Sequence, residues 1–284
     1  MVQRVILLVT IHTIHIRERK LFEIFDYDFM QRAFIVGISL SILTAVLGSF
    51  IVLKRYAMLP DALSHIALLG VGIGLVTNTS PIYVPILVAV VAGISIEYLR
   101  YKQRLYSDAI LSIFLSGALA MAIILINLSD GFNASLFSYL FGSITAVSNE
   151  ETEITIYFTI FALTLILGSY RKLLFATLDE DSAKASGIKV FYLNMMLVIL
   201  SAITVALSMR IVGILLIGAL MVLPISTALL YKENFFKTVL MAIIFSLVSV
   251  ISGLLISFYF AISSGASIVL VALVFFILSL FLNL

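Results

Sequence analysis

The sequence predicts an all-α, polytopic integral membrane protein of about nine transmembrane helices. Three observations predict it. Of 284 residues, 63% are hydrophobic and 11% are charged, where an ordinary globular domain carries about 25% charged residues. A soluble fold of this length still needs a polar coat, so the bulk solvent of this chain is lipid. Apolar runs of spanning length recur along the chain, and basic residues collect on alternate connections between them.

A bilayer span needs about 20 mainly apolar residues, and roughly 17 suffice. Ala33–Leu53 is the first run without a charge. Ala62 to about Ser80 is the second, with His65 as its only titratable group. Pro81–Ile96 is the third, closed by Glu97 and a basic stretch. Ala109–Ser129, Ile154–Tyr170, Val190–Met209 and Ile211–Tyr231 supply four more. Thr238–Leu284 holds 47 residues and no charge, interrupted by "AISSGAS". It reads as two helices and a turn.

Charge sets the orientation. If Lys54 and Arg55 face the cytoplasm, eleven lysines and arginines fall in the connections on that side, against Arg210 alone on the other. Basic residues stay on the cytoplasmic side, so the amino end is outside and the carboxyl end inside. The first 32 residues depart from this pattern, with Arg4, Arg17, Arg19, Lys20 and Arg32. "VILLVTIHTIHI" (5–16) is too short to span and reads as a signal-like or surface-lying segment, or as the product of an upstream start codon. His12 and His15 in it are a weak metal signal.

Several function classes fall away. A formal net charge of +2 with no basic stripe speaks against a nucleic-acid partner. The chain has no cysteine, hence no thiolate metal site or cysteine nucleophile. It has no GxxxxGK[S/T] loop, so it does not bind ATP in that manner. An intramembrane metalloprotease needs a glutamate base between paired histidines, and "DALSH" has none.

Two polar features stand out. In "MLPDALSHIALLG", Asp61 and His65 are spaced i, i+4 and share one helix face. A carboxylate and an imidazole there suit a borderline divalent ion such as Zn²⁺, Mn²⁺ or Fe²⁺. The competing reading makes Asp61 a helix cap after Pro60 and His65 a donor to a carbonyl. The second feature is "RKLLFATLDEDSAKASGIKV" (171–190). Thr177 to Glu180 has capping-box form, acidic residues fill the first turn, and Gly187 suits a left-handed end. It predicts a helix of about ten residues, whose small Ala183, Ala185 and Ser186 let another protein approach. It is either a solvated linker or a docking helix.

Elsewhere, "NASLFSYLFGSI" in the outer connection reads as a half-length re-entrant helix or an interfacial loop helix. Asn127, Asp130 and Asn133 are candidates to line a hydrated path. Asn194 is expected to hydrogen-bond between helices, and Gly70, Gly74, Gly213 and Gly218 to serve close packing.

Five patterns in order, "MLPDALSHIALLGVGIG", "LFSYLFGSITAVS", "DEDSAKASGIKV", "RIVGILLIGALMVLPISTALL" and "SGASIVLVALVFFIL", resemble the membrane permease subunit of the zinc/manganese (divalent metal) ABC importer family. The resemblance divides the chain into an atypical extension, 1–27, and a transmembrane permease domain, 28–284. It implies a type II ABC importer permease in the inner (cytoplasmic) membrane, with two copies forming the pathway. Separate cytoplasmic ABC ATPase subunits would energise it, and an extracytoplasmic metal-binding protein would deliver the ion. No permanently bound cofactor is implied, only the transported Zn or Mn. The matching metal contacts are Asp61 and His65. The matching ATPase-coupling helix is Asp179, Glu180, Asp181, Ser182, Ala183, Lys184, Ala185, Ser186 and Gly187. Leu69 stands where family members often carry a proline, which removes a kink there. The alternative is a gradient-driven secondary metal-ion transporter, which would need no docking helix.

Overall fold

The computed structural model describes residues 23–79, 82–102, 106–129 and 134–282. The segment 5–16 with His12 and His15, and the loop residues Asp130 and Asn133, lie outside the described residues. Among those residues the fold is helical without strands. Its α-helices are α1 Asp28–Leu53, α2 Leu59–Thr77, α3 Tyr83–Tyr101, α4 Ser107–Leu128, α5 Ala134–Phe141, α6 Asn149–Leu178, α7 Glu180–Ala185, α8 Val190–Ser208, α9 Ile217–Leu229, α10 Phe235–Phe260 and α11 Ser264–Leu282.

Among the described residues eight helices are long and apolar enough to cross a membrane. They are eight of the nine expected segments. Three are central: 67% of the apolar window of α1 and of α2, and 61% of that of α8, is buried. In α3, α4, α6, α10 and α11 the share is 28–33%. Spacing explains the centre. Leu40, Leu43, Leu47 and Phe50 repeat at three- and four-residue steps along α1 and are all buried. The outer helices expose large apolar side chains such as Leu87, Leu167 and Leu270, as helices facing hydrocarbon do.

The seventh segment differs from expectation. Ile211–Tyr231 is not one continuous helix: α9 starts only at Ile217 and has 13 residues. The preceding backbone unwinds at Gly213, whose φ is +86°. Exposed in lipid, such backbone would lack hydrogen-bond partners, so it must be covered by protein. The partner is the half-length α5. Ile214 N–H donates to Tyr139 O (2.9 Å), Leu215 N–H to Leu140 O (3.3 Å), and Ser143 N–H to Arg210 O (2.8 Å). The turn from α10 into α11 contributes two more donors, from Ser263 Oγ to Phe141 O (2.5 Å) and from Ser264 Oγ to Ile211 O (2.6 Å). Tyr139, Ile211, Val212 and Ile214 are buried there.

Arg210 locks this junction at the outer face. Its Nε pairs with Glu151 Oε1 (2.8 Å). Its Nη atoms donate to Ala146 O (2.8 Å) and the Tyr139 hydroxyl (2.7 Å). Glu151 also completes a capping box with Ser148 at the start of α6. One carboxylate therefore satisfies both a helix end and Arg210.

At the other face α6 continues well past Tyr170 to Leu178. At 30 residues it is roughly 45 Å long, longer than the hydrocarbon core.

Gly213→Ala tests the junction. A Cβ there would stand 2.5 Å from both Leu140 O and Phe141 C, in a conformation that costs a non-glycine residue about 1–3 kcal/mol. We expect a lower thermal midpoint in detergent. Gly168→Ala, whose Cβ meets nothing within 4 Å, leaves the midpoint unchanged or slightly higher.

Candidate functional site

Asp61 and His65 lie on the first two turns of α2, with Pro60 ahead of them. The helix packs tightly around them. Ala62, Leu63, Ser64, Ile66, Ala67, Leu68, Gly70 and Val71 are buried. Asp61, His65, Leu69 and Ile73 are only half-buried and form one stripe at four-residue steps. An acid and an imidazole thus share the single partly open face of a helix that is otherwise enclosed. Helix α2 runs unbroken through Leu69.

The cap reading of Asp61 fails. The N-cap of α2 is Met58, without a side-chain cap bond. The carboxylate instead stands against Gly218, in the first turn of α9; a Cβ on that glycine would overlap Asp61 Oδ1. The carbonyl reading of His65 fails for its Nδ1, which is buried without a hydrogen-bond partner. Among the described residues no group of three or more His, Cys, Asp or Glu side chains comes together.

The neighbours of Asp61 give its depth. Gly218 lies three turns above Leu229, the inner end of α9, a rise of roughly 16 Å. One turn below Gly218, the Met221 carbonyl meets Gly48 of α1, which is followed by a further roughly 9 Å of rise to Lys54. The pair therefore sits inside the helical bundle, well above the inner mouth.

The cytoplasmic connection departs from expectation in three ways. The helix after Leu178 has six residues, not about ten, because "RKLLFATL" prolongs α6. Its cap is Asp179, not Thr177, whose hydroxyl donates to Leu173 O (2.7 Å) within α6. Asp179 accepts from Ser182 N–H (3.0 Å) and from the Ser182 hydroxyl (2.5 Å). Third, Ala183 is buried against Ala176 and Val190, so it offers nothing to a partner. The outward face carries Asp181, Ser182, Lys184, Ala185 and Ser186, with Glu180 half-exposed and paired to Lys184 at 2.9 Å. Gly187 ends the helix at φ +79°, donating to Lys184 O, while Ile188 donates to Ala183 O. This is a Schellman closure.

A charged layer lies under α7. Lys54 Nζ donates to Ala176 O (3.0 Å) and to Asn194 Oδ1 (2.8 Å), so Asn194 makes its interhelical bond with α1's end. Glu97, 1% exposed, pairs with Arg100 at 3.1 Å, and the Arg100 guanidinium lies 3.5 Å over the Tyr56 ring. Tyr56, Glu97, Arg100 and Asn194, together with Glu180 and Lys184, line a cleft of about 990 Å³. The sequence reading did not single out Glu97, Arg100 or Tyr56; only the occurrence of a glutamate at the end of an apolar run hinted at them.

The ABC 3 transport family model matches residues 26–283. The chain belongs to this family. Among ABC 3 relatives, the manganese transport system membrane protein MntC of Halalkalibacterium halodurans is 32% identical over 259 residues, 91% of this chain and 89% of that one. The high-affinity zinc uptake system membrane protein ZnuB of Haemophilus influenzae is 31% identical over 255 residues, 90% and 98% of the two chains. The solved structure of PsaBC from Streptococcus pneumoniae in complex with Fab superposes with a TM-score of 0.78 at 33% identity, covering 91% of this chain and 95% of that one. An ABC 3 chain is a multi-pass membrane subunit of an ABC transport system. That membership supports a permease subunit over the lone gradient-driven transporter.

The Asp179 cap is open to titration. The two bonds from Ser182 hold its carboxyl below the usual carboxylate range. Its folded value is depressed, so the cap's contribution is complete above the unfolded aspartate value and fades as pH falls through the lower folded value. Asp179→Ala should speed amide exchange across residues 179–188 at neutral pH, and Asp179→Asn, which keeps an acceptor oxygen, should restore most of the protection.

Proposed function

We propose that this chain is the metal-conducting permease of an ATP-driven importer for a divalent ion, zinc or manganese, in the inner (cytoplasmic) membrane. The observation that carries the reading is the half-open Asp61–His65 stripe on an otherwise enclosed α2. Two copies of the chain face each other across the pathway, each presenting a carboxylate and an imidazole. Such a donor set suits Zn²⁺ and Mn²⁺, the ions named for the ZnuB and MntC relatives. Two donors per chain capture an ion and release it again, where a closed four-ligand cage would hold it.

Energy enters from below. The short α7, with Asp179 through Gly187, docks a separate ABC ATPase through its exposed face. Its Schellman closure and the Asp179 cap keep this helix rigid enough to transmit a push. It packs through Ala183 on Ala176 of α6 and Val190 of α8, and Lys54 at the end of α1 bonds to these same two helices, which supports a route from α7 to the start of α2. An extracytoplasmic metal-binding protein loads the outer face.

Reconstitution with the candidate ATPase and carrier tests the whole reading. ATP-dependent uptake of Zn²⁺ or Mn²⁺ is expected, and uptake by the purified chain alone on an ion gradient contradicts it. Asp61→Ala and His65→Ala should each reduce uptake to background while the complex still assembles; wild-type uptake in both removes the ligand assignment. Ser186→Trp, on the exposed face of the docking segment, should lower co-purification of the ATPase without changing yield of the permease.

A further inference from the structure

We propose that Gly218 is the positioning residue for the Asp61 carboxylate, and that the missing side chain there sets how strongly the permease holds its ion. The inference rests on the reading of Asp61 as a cargo contact. Its own support is geometric. The Asp61 carboxylate occupies the space a Cβ on Gly218 would need, overlapping at Oδ1 and standing 2.6 Å from Cγ. Gly218 therefore contributes an absence: the backbone of α9 comes near enough to form one wall of the carboxylate's pocket.

Neither helix has room to yield. Helix α2 is held by Gly70, where a Cβ would stand 2.5 Å from Pro85 Cα, and by the buried Ala62, Leu63 and Ile66. Helix α9 is held by the Met221 carbonyl against Gly48 and by the paired backbone of residues 209–216. A methyl group on residue 218 must therefore turn the aspartate side chain to another rotamer, carrying its oxygens away from the face shared with His65.

A double-variant cycle tests this in the assembled complex with its ATPase, comparing G218A, D61A, G218A/D61A and the G168A control by thermal midpoint and by uptake of Mn²⁺ and Zn²⁺ at graded concentrations. In G218A the KM for the ion should rise by about tenfold or more, since a displacement of about 1 Å at a working site has effects of that order, with kcat changed less. The thermal midpoint should fall in the Asp61 background and recover in D61A, where the overlapping oxygens are gone. Equal thermal losses in both backgrounds overturn the proposal, as does wild-type KM in G218A beside a silent D61A. If G218A fails to assemble, recovery in G218A/D61A supports the contact and continued failure overturns it. Wild-type uptake in D61A is a different result: it removes the cargo reading itself while the thermal cycle still reports on the contact.

Discussion

The pairing of the unwound backbone at 209–216 with the end of α5 is the constraint on which the rest of the structure depends. Backbone that leaves a helix inside a membrane must find partners within the protein. Here the carbonyls of Tyr139 and Leu140 accept from Ile214 and Leu215, and Gly213 supplies the left-handed turn that permits it. The bond set shortens α9 to 13 residues and fixes where its first turn falls. That turn meets Asp61. A continuous seventh helix would carry its amino end to the outer surface and leave the carboxylate against an ordinary helix flank.

The site follows from that placement. Helix α2 presents three enclosed sides and one half-open stripe, and the stripe carries the two side chains with metal-binding chemistry. Leaving an imidazole nitrogen buried without a partner is costly in a protein interior. Ionisable groups at membrane depth are retained where they act. The outer junction and the inner charged layer bracket this level. Arg210 and Glu151 close the top, and Lys54, Glu97 and Arg100 gather under the inner end beside the docking helix.

Much of this was legible in the residues, and the failures have physical causes. Spans appear because lipid demands long apolar runs. Asp61 and His65 announce themselves as costs in an apolar setting. Gly187 marks its helix end because only a residue without a Cβ turns left-handed cheaply. The start of that helix was misplaced, since "FATL" favours helix as readily as "DEDS" and local pattern cannot rank Thr177 against Asp179. The unwinding at 209–216 was invisible because its partners lie about 70 residues away in sequence. Gly213 and Gly218 looked like packing glycines. One proves to be a turn and the other a wall for a carboxylate, a distinction that depends on what lies opposite and not on the glycine itself.

The proposed pathway turns on direct contact of Asp61 and His65 with the cargo. The most direct measurement is pulsed EPR of Mn²⁺ bound to the assembled, purified transporter, which detects nitrogen bonded to the metal. The account predicts an imidazole nitrogen signal in the wild-type complex that disappears in His65→Ala. A bound Mn²⁺ with oxygen donors only, or a nitrogen signal that survives His65→Ala, would contradict it.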